Sequence, residues 1–258
     1  NEGEIPDNGI DDDGNGYIDD VHGVLFDEDV PNYSYLTYAG HGSYCASIIS
    51  MEAGNDIGGA GLAYGAKVMM GGAPATSPGY INGMNGIKAL YYARDNGADI
   101  GNMSYVGRGY SAYEYAAFKE LSQDMLLVGA AGNFRESTMD NPYDRAKEDY
   151  YPAGYDCVIG VMGYSKDCNS LDGSCWDYAK GTGPEYEVIA PYDFIYGAFI
   201  DNVKEPYGLN GGTSASAPIV CSMAAIMMSE YRAQGIDDIQ FFHDMIISEN
   251  EHKIYYEE

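Results

Sequence analysis

The decisive stretch of this chain is Gly212-Thr213-Ser214-Ala215-Ser216-Ala217-Pro218, which precedes an apolar segment of helical character, Ile219 to Met228. Ser214 is therefore expected at the start of a helix, where unpaired backbone N–H groups and the helix dipole stabilise developing negative charge. An acyl-transfer nucleophile needs such a position, with an exposed hydroxyl and a backbone donor for the oxyanion beside it. The alternative interpretation is that the Gly-Thr-Ser turn only caps the helix.

Two further segments carry the residue types that serine hydrolysis requires. Gly40-His41-Gly42 places a glycine-flanked histidine at the start of another apolar helix, and Val128 to Asn133 ends an apolar strand in a polar amide. Histidine can act as the general base, asparagine as the oxyanion donor and serine as the nucleophile. The combination predicts one catalytic site built from His41, Asn133 and Ser214.

Short apolar segments alternate with segments of helical periodicity along the chain. The predicted strands are residues 24–26, 67–71, 99–104, 125–131, 157–162 and 187–190, and the predicted helices are 41–51, 81–94, 110–123, 213–232 and 236–248. This alternation indicates βα units, a largely parallel sheet and a single α/β domain over residues 1–258. Functional residues of such sheets lie beyond the carboxyl ends of the strands, where His41, Ser104, Asn133 and Ser214 all fall.

In these segments the chain resembles the subtilisin-like serine proteases, the subtilases. Gly212 to Pro218 is similar to their serine motif, and Ala130 to Asn133 is similar to their oxyanion segment. Gly40 to Ala46 is similar to their histidine motif, with Tyr44 in place of the usual second histidine. The resemblance runs from about residue 5 to about residue 250. It implies a secreted protein with a three-layer fold, in which helices cover both faces of a mainly parallel central sheet.

The resemblance also implies serine endopeptidase chemistry on a polypeptide substrate. Ser214 would attack the scissile carbonyl, His41 would take its proton, and Asn133 with the Ser214 N–H would hold the oxyanion. The substrate backbone would bind along residues Ser104, Tyr105, Val106, Ala131 and Gly132. Val106 stands where the family usually has glycine, which should narrow the substrate groove.

The catalytic acid of the family has no counterpart in this sequence. Subtilases carry it in an Asp-Thr-Gly or Asp-Ser-Gly motif that ends an apolar strand, and no such motif precedes His41. Residues Asn1 to Asp11 resemble the segment just downstream of it. That strand is central in the family's sheet, and parallel strands need neighbours on both edges. We therefore expect an N-terminal companion segment to supply both strand and aspartate; the alternative is a catalytically inactive subtilase-like calcium-binding protein.

The acidic loop from Asp11 to Asp20 has oxygen ligands at alternate positions. With Asp11 as position one, the later odd positions carry Asp13, Asn15, Tyr17 through its carbonyl, and Asp19. Glycine at position six allows the sharp turn of a calcium loop. Position twelve is His22, so Asp20 or another carboxylate would have to replace the usual glutamate. A structural calcium ion is predicted here, as in many subtilases; the alternative is a flexible acidic turn.

The chain is strongly acidic, with 40 acidic and 13 basic residues and a net charge of −27. Nucleic acid and anionic membranes are excluded as partners because both require a basic surface. No apolar run approaches the roughly 20 residues of a membrane span. Cys168 and Cys175 flank a glycine-containing loop and are candidates for a local disulfide, whereas Cys45 and Cys221 are expected to be buried free thiols.

Overall fold

The computed structural model describes residues 1, 3–26, 40–73, 81–133, 150–164, 186–199 and 204–248. Its helices are α1 (Gly40–Ser50), α2 (Gly83–Asp95), α3 (Ala112–Leu121), α4 (Thr213–Arg232) and α5 (Ile239–Ser248). Its strands are β1 (Gly23–Leu25), β2 (Met70–Gly72), β3 (Ile100–Met103), β4 (Gly107–Arg108), β5 (Leu126–Ala130), β6 (Tyr150–Tyr151), β7 (Ile159–Tyr164), β8 (Val188–Pro191), β9 (Ile195–Ala198) and β10 (Tyr207–Asn210). The predicted alternation is confirmed, with boundaries shifted by a few residues. Cys168 and Cys175 lie outside the described residues.

The central layer consists of two parallel sheets. The larger sheet has the order β3-β5-β7-β8, and the smaller one pairs β1 with β2. All of these pairings are parallel, so the carboxyl ends of the strands of each sheet lie at one edge. Two antiparallel pairs, β9 with β10 and β4 with β6, lie apart from these sheets. The predicted α/β class with a mainly parallel sheet is therefore confirmed.

Helices cover both faces of the larger sheet. On one face, α4 and α5 bring Val220, Met228 and Phe242 against buried residues of β5 and β7. On the other face, Leu90 of α2 and Phe118 of α3 pack with residues of β3 and β5. The burial of this apolar surface from water on both sides stabilises the layers, at about 25 cal/mol for each Å². The structure thus has the expected three layers.

Helix α2 contacts both parallel sheets. It begins at the N-cap Asn82, whose side chain accepts hydrogen bonds from the backbone N–H groups of Met84 and Asn85. On one side, Ala89 lies against β2, where a Cβ atom on Gly71 would come within 2.7 Å of the Ala89 Cβ. On its other side, a Cβ atom on Gly101 of β3 would come within 2.9 Å of Leu90 Cδ2. One helix therefore spans the two sheets, and glycine on each strand permits the close approach.

No helix within the described ranges has both the length and the apolar character required to cross a bilayer.

Candidate active site

The serine turn has the predicted structure. Gly212 has a φ of 108°, which is accessible to glycine and strained for other residues, and α4 begins at the next residue. The half-buried Ser214 therefore lies in the first turn of the helix. Its hydroxyl donates a hydrogen bond to the Ser104 carbonyl at 3.2 Å. The nucleophile predicted from sequence is thus held beside the carboxyl end of β3.

A proline inside α4 changes the hydrogen bonding of Ser214. In a regular helix the N–H of residue 218 would donate to the carbonyl of residue 214, but Pro218 has no N–H. The Ser214 carbonyl instead accepts hydrogen bonds from Ser104 Oγ at 2.9 Å and Cys45 Sγ at 3.3 Å. Because the proline leaves this carbonyl without a helical donor, Ser104 after β3 and Cys45 of α1 can form hydrogen bonds with the serine turn. The sequence analysis did not assign this role, although the proline six residues into a predicted helix was the available signal.

The side chain of Asn133 is oriented by Thr213. Asn133 Oδ1 accepts hydrogen bonds from the Thr213 N–H at 2.9 Å and from Thr213 Oγ1 at 3.1 Å. Thr213 Oγ1 in turn accepts from the Gly132 N–H at 3.0 Å. These donors orient the amide, its Nδ2 donates no hydrogen bond to the described residues, and Asn133 is exposed to solvent. Thr213 is thus a positioning residue that sequence reasoning missed, although it lies inside the decisive motif.

His41 lies at the start of α1, on the other side of the site. Its imidazole is exposed to solvent on one side, and the surrounding protein lowers the pKa of the ring below its usual 6.5 by desolvation. Cys45, which contacts the Ser214 carbonyl, is one helical turn further and therefore on the same face of α1. No hydrogen bond joins His41 to Ser214 in the part of the chain that the structure describes. The structure therefore places His41 on the same side of α1 as Cys45, which contacts the serine turn, but shows no hydrogen bond between the predicted base His41 and the predicted nucleophile Ser214 among the described residues.

The residues predicted to bind the substrate backbone differ in their exposure to solvent. Val106 is exposed, whereas Tyr105 packs its ring towards α2 near Gly86, and burial raises the pKa of its phenol. Ala131 and Gly132 are buried, and their N–H groups already donate, Ala131 to the Val161 carbonyl and Gly132 to Thr213. The N–H groups of this pair are therefore already bonded and not free to pair with a substrate strand.

The cysteines near the site are not nucleophiles. Cys45 and Cys221 are buried free thiols, as predicted. Burial raises the pKa of Cys45 to about 11 and raises that of Cys221 as well. The thiolate is the reactive form of cysteine, so both thiols are inert at neutral pH.

The acidic loop brings together a different set of carboxylates from the predicted one. Oxygen atoms of Glu4, Asp13 and Asp20 lie within 4.8 Å of one another, and Glu4 and Asp20 are buried. Among the described residues, Asp11 and Asp19 belong to no such group. The Asp11 carboxylate accepts backbone N–H bonds from residues 14–16, and the Asp19 carboxylate accepts them from Asn8 and Gly9. The Glu4 carboxylate likewise accepts backbone N–H bonds, from residues 12, 13 and 19.

Two other predicted ligands lie beside this cluster. The Asn15 amide donates to Asp13 at 3.2 Å and to Asp20 at 2.9 Å, and Tyr17 donates its N–H to Asn15 Oδ1. Asn1 Nδ2 donates to the same two carboxylates at 2.9 Å each. Hard oxygen donors of this kind suit calcium, which takes carboxylate and carbonyl ligands.

The fold and the serine turn place the protein among α/β proteins of subtilisin-like architecture. The chain belongs to the subtilase family, whose family model matches residues 8–242. Among curated relatives, subtilisin DY from Bacillus licheniformis is 30% identical over 198 residues, which cover 74% of this chain and 64% of that protein. The thermostable alkaline protease of Halalkalibacterium halodurans is 30% identical over 204 residues, which cover 77% of this chain and 49% of that protein. The chain therefore spans less than two thirds of these relatives.

Solved structures show the same fold at lower identity. The S41 psychrophilic protease superposes on this chain with a TM-score of 0.68 at 19% identity. The match covers 81% of this chain and 68% of the protease chain. Sphericase superposes with a TM-score of 0.66 at 20% identity, and the match covers 81% of this chain and 68% of the sphericase chain. These likenesses confirm the subtilisin-like fold predicted from the sequence.

Proposed function

We propose that this chain is the main part of a serine endopeptidase that hydrolyses peptide bonds through an acyl-enzyme on Ser214. The observation that carries the proposal is the orientation of two donors. Thr213 orients the Asn133 amide through its oxygen, and neither Asn133 Nδ2 nor the Ser214 N–H donates a hydrogen bond within the described residues. The Ser214 N–H lies in the turn that presents the nucleophile, and Asn133 is bonded to Thr213 of the same turn, so both donors could stabilise one oxyanion.

The proton would pass from Ser214 to His41. The Ser214 hydroxyl would exchange its hydrogen bond to the Ser104 carbonyl for one to the imidazole as a substrate carbonyl arrives. The lowered pKa keeps His41 neutral, and so able to accept a proton, at neutral pH. The Ser214 oxygen bonds to the substrate carbon as His41 takes its proton, and the C–N bond then breaks as His41 gives this proton to the leaving amine. A water molecule, deprotonated by His41, would then attack the acyl group, and Ser214 would leave with the proton returned by His41.

The imidazole needs an acid to orient it. No carboxylate forms a hydrogen bond with His41 in the described parts of the chain, and the sequence offers no family aspartate motif before it. We infer that a companion segment supplies the carboxylate, which would fix the tautomer of His41 and stabilise the imidazolium. Secretion stays a prediction from the family resemblance.

Calcium is proposed as a structural ion in the acidic loop. Glu4, Asp13 and Asp20 would hold it, with Asn15 turning its amide oxygen inward, because three converging carboxylates repel one another unless a cation is present. Binding would stabilise the segment that leads into β1.

A fluorophosphonate probe tests the proposed nucleophile. We expect the native protein to be labelled at Ser214, with the position identified by mass spectrometry, and Ser214→Ala to abolish labelling. Ser216→Ala is the matched control, because the Ser216 hydroxyl is buried and bonded to the Pro191 carbonyl at 2.8 Å. Absence of labelling from folded native protein would support the alternative, an inactive subtilase-like binding protein.

A further inference from the structure

Tyr44 is a buried tyrosine that the proposed mechanism does not use. It lies on α1 three residues after His41, and only 1% of its surface is exposed. Residues three apart on a helix occupy neighbouring positions on its surface. Tyr44 also belongs to the same apolar cluster as Ala215, the residue directly after Ser214. This cluster therefore joins the helix of the proposed base to the helix of the proposed nucleophile.

The Tyr44 side chain contacts both ends of strand β9. Its hydroxyl donates a hydrogen bond to the carbonyl of Ile195, the first residue of β9, at 3.0 Å. Its ring stacks on Phe199, the residue after β9, with ring centroids 4.8 Å apart and an interplanar angle of 11°. Burial raises the pKa of the phenol, so the hydroxyl stays protonated and remains a donor at neutral pH. The β9–β10 hairpin is thus attached to α1 by one side chain.

The middle of β9 admits the Tyr44 ring. A Cβ atom on Gly197 would overlap the ring, so glycine at this position permits the close approach. The neighbouring Ala198 N–H donates to Ser47 Oγ of α1 at 2.8 Å, and the Ser47 hydroxyl donates to the Tyr44 carbonyl at 2.7 Å. Stacking, two hydrogen bonds between α1 and β9, and a glycine therefore hold the hairpin on the helix.

The hairpin leads directly into the serine turn. Ile195, whose carbonyl accepts the Tyr44 hydrogen bond, is the register partner of Asn210, the last residue of β10. Ser214 lies four residues beyond Asn210 in the sequence. Between them, the Gly212 N–H donates to the Tyr192 carbonyl at 2.9 Å, which ties the turn to the base of the hairpin. Movement of β9 relative to α1 would therefore displace Ser214 relative to His41.

We propose that Tyr44 is a positioning residue that sets the distance between His41 and Ser214 by holding the β9–β10 hairpin on α1. This assignment rests on the proposed function and adds a residue to it. Proton transfer requires the two side chains within hydrogen-bond reach, and a misplacement of about 1 Å can cost about 100-fold in rate. The other direct link from α1 to the turn, Cys45 to the Ser214 carbonyl at 3.3 Å, uses a weak thiol donor.

Tyr44→Phe tests the hydroxyl, because it removes the hydrogen bond to Ile195 and keeps the stacked ring. Tyr155→Phe is the matched control, since Tyr155 is also buried and its hydroxyl donates to Glu114 at 2.7 Å. Labelling of the full chain over a range of fluorophosphonate concentrations, well below the unfolding midpoint, separates the maximal rate from the affinity for the probe. We expect Tyr44→Phe to lower the maximal rate about threefold to tenfold at unchanged affinity. Tyr155→Phe should change neither quantity.

A second pair of variants approaches the contact from the hairpin. Gly197→Ala places a methyl group against the Tyr44 ring and should lower the maximal rate in the same way. Gly208→Ala is the control on the opposite strand, because Gly208 is the register partner of Gly197 and its new Cβ would meet nothing closer than Phe199 at 3.8 Å. A merely structural role would lower the unfolding midpoint of Gly197→Ala and Tyr44→Phe but leave the maximal rate of the folded proteins unchanged, which would overturn the proposal.

Hydrogen exchange provides a readout that needs no activity. In Tyr44→Phe, loss of one net hydrogen bond should raise the exchange rates of the Ala198 and Gly212 N–H groups about fivefold. The Ala131 N–H, which donates to the Val161 carbonyl, should exchange as in the native protein. Unchanged exchange at Ala198 and Gly212 would overturn the proposal. If the native chain is not labelled at Ser214, the proposed nucleophile fails, whereas faster exchange in Tyr44→Phe would still support Tyr44 as the residue that positions the turn.

Discussion

The hydrogen bonds to the Ser214 carbonyl can be tested by a double-mutant cycle between Ser104→Ala and Pro218→Ala. In the native chain, Ser104→Ala removes the 2.9 Å hydrogen bond to a carbonyl that Pro218 deprives of its helical partner. Among the side chains that the structure describes, the weak Cys45 thiol donor at 3.3 Å then remains. A lost hydrogen bond costs about 1 kcal/mol, and a buried unsatisfied group up to about 3. We expect Ser104→Ala to lower the free energy of unfolding by about 1–2 kcal/mol.

Pro218→Ala should relieve most of this loss, because the new N–H at position 218 can donate to the Ser214 carbonyl. Ser104→Ala should then cost about 0.5 kcal/mol or less, which gives a coupling energy of about 1 kcal/mol. Ser104→Ala also loses the hydrogen bond from Asn102 to Ser104, but it does so with either residue at position 218, so this loss cancels in the cycle. The effect of Pro218→Ala on the unfolded chain is likewise the same with either residue at position 104 and cancels.

Urea denaturation of the four proteins measures the cycle. Ser122→Ala is the matched control, because its hydroxyl bonds only the nearby Lys119 carbonyl at 3.1 Å. It should be additive with Pro218→Ala to within about 0.5 kcal/mol. Additivity of the Ser104 pair within the same limit would refute the assignment of the Ser214 carbonyl to Ser104.

Three further predictions concern the site and the acidic loop. Thr213→Val leaves the buried Gly132 N–H without its acceptor and removes one of the two donors to Asn133 Oδ1, so it should destabilise the protein by about 1–3 kcal/mol and slow labelling. Thr213→Ser keeps the hydroxyl, so thermal unfolding and the labelling rate should stay close to those of the native protein. In the chain without a companion segment, the rate of labelling should fall as pH decreases, with a midpoint below the usual 6.5, because desolvation lowers the pKa of His41; a midpoint at or above this value would contradict the lowered pKa. Chelation of calcium should lower the unfolding midpoint by several degrees, and an unchanged midpoint in excess chelator would remove calcium from the acidic loop.

The local features of the site were predictable because they depend on neighbouring residues. The helix start at Ser214, the helix after His41 and the strand that ends at Asn133 each follow from short-range patterns. The partners of Asn133 were not predictable, because they join residues about 80 positions apart. The acidic loop shows the same limit. Counting positions selected Asp13 and offered Asp20 as a replacement ligand, and both belong to the cluster, but the loop folds back so that Glu4 joins it and Asp11 does not.

The sequence by itself determined the family, the order of strands and helices, and the residue types of the site, because each is encoded in contiguous motifs and periodicity. Only the tertiary structure decided that α2 packs against both parallel sheets, and that Ser104 and Cys45 bind the carbonyl freed by Pro218. These features depend on how distant strands and helices are spaced. Spacing is set by packing across the whole domain, which no local pattern of residues specifies.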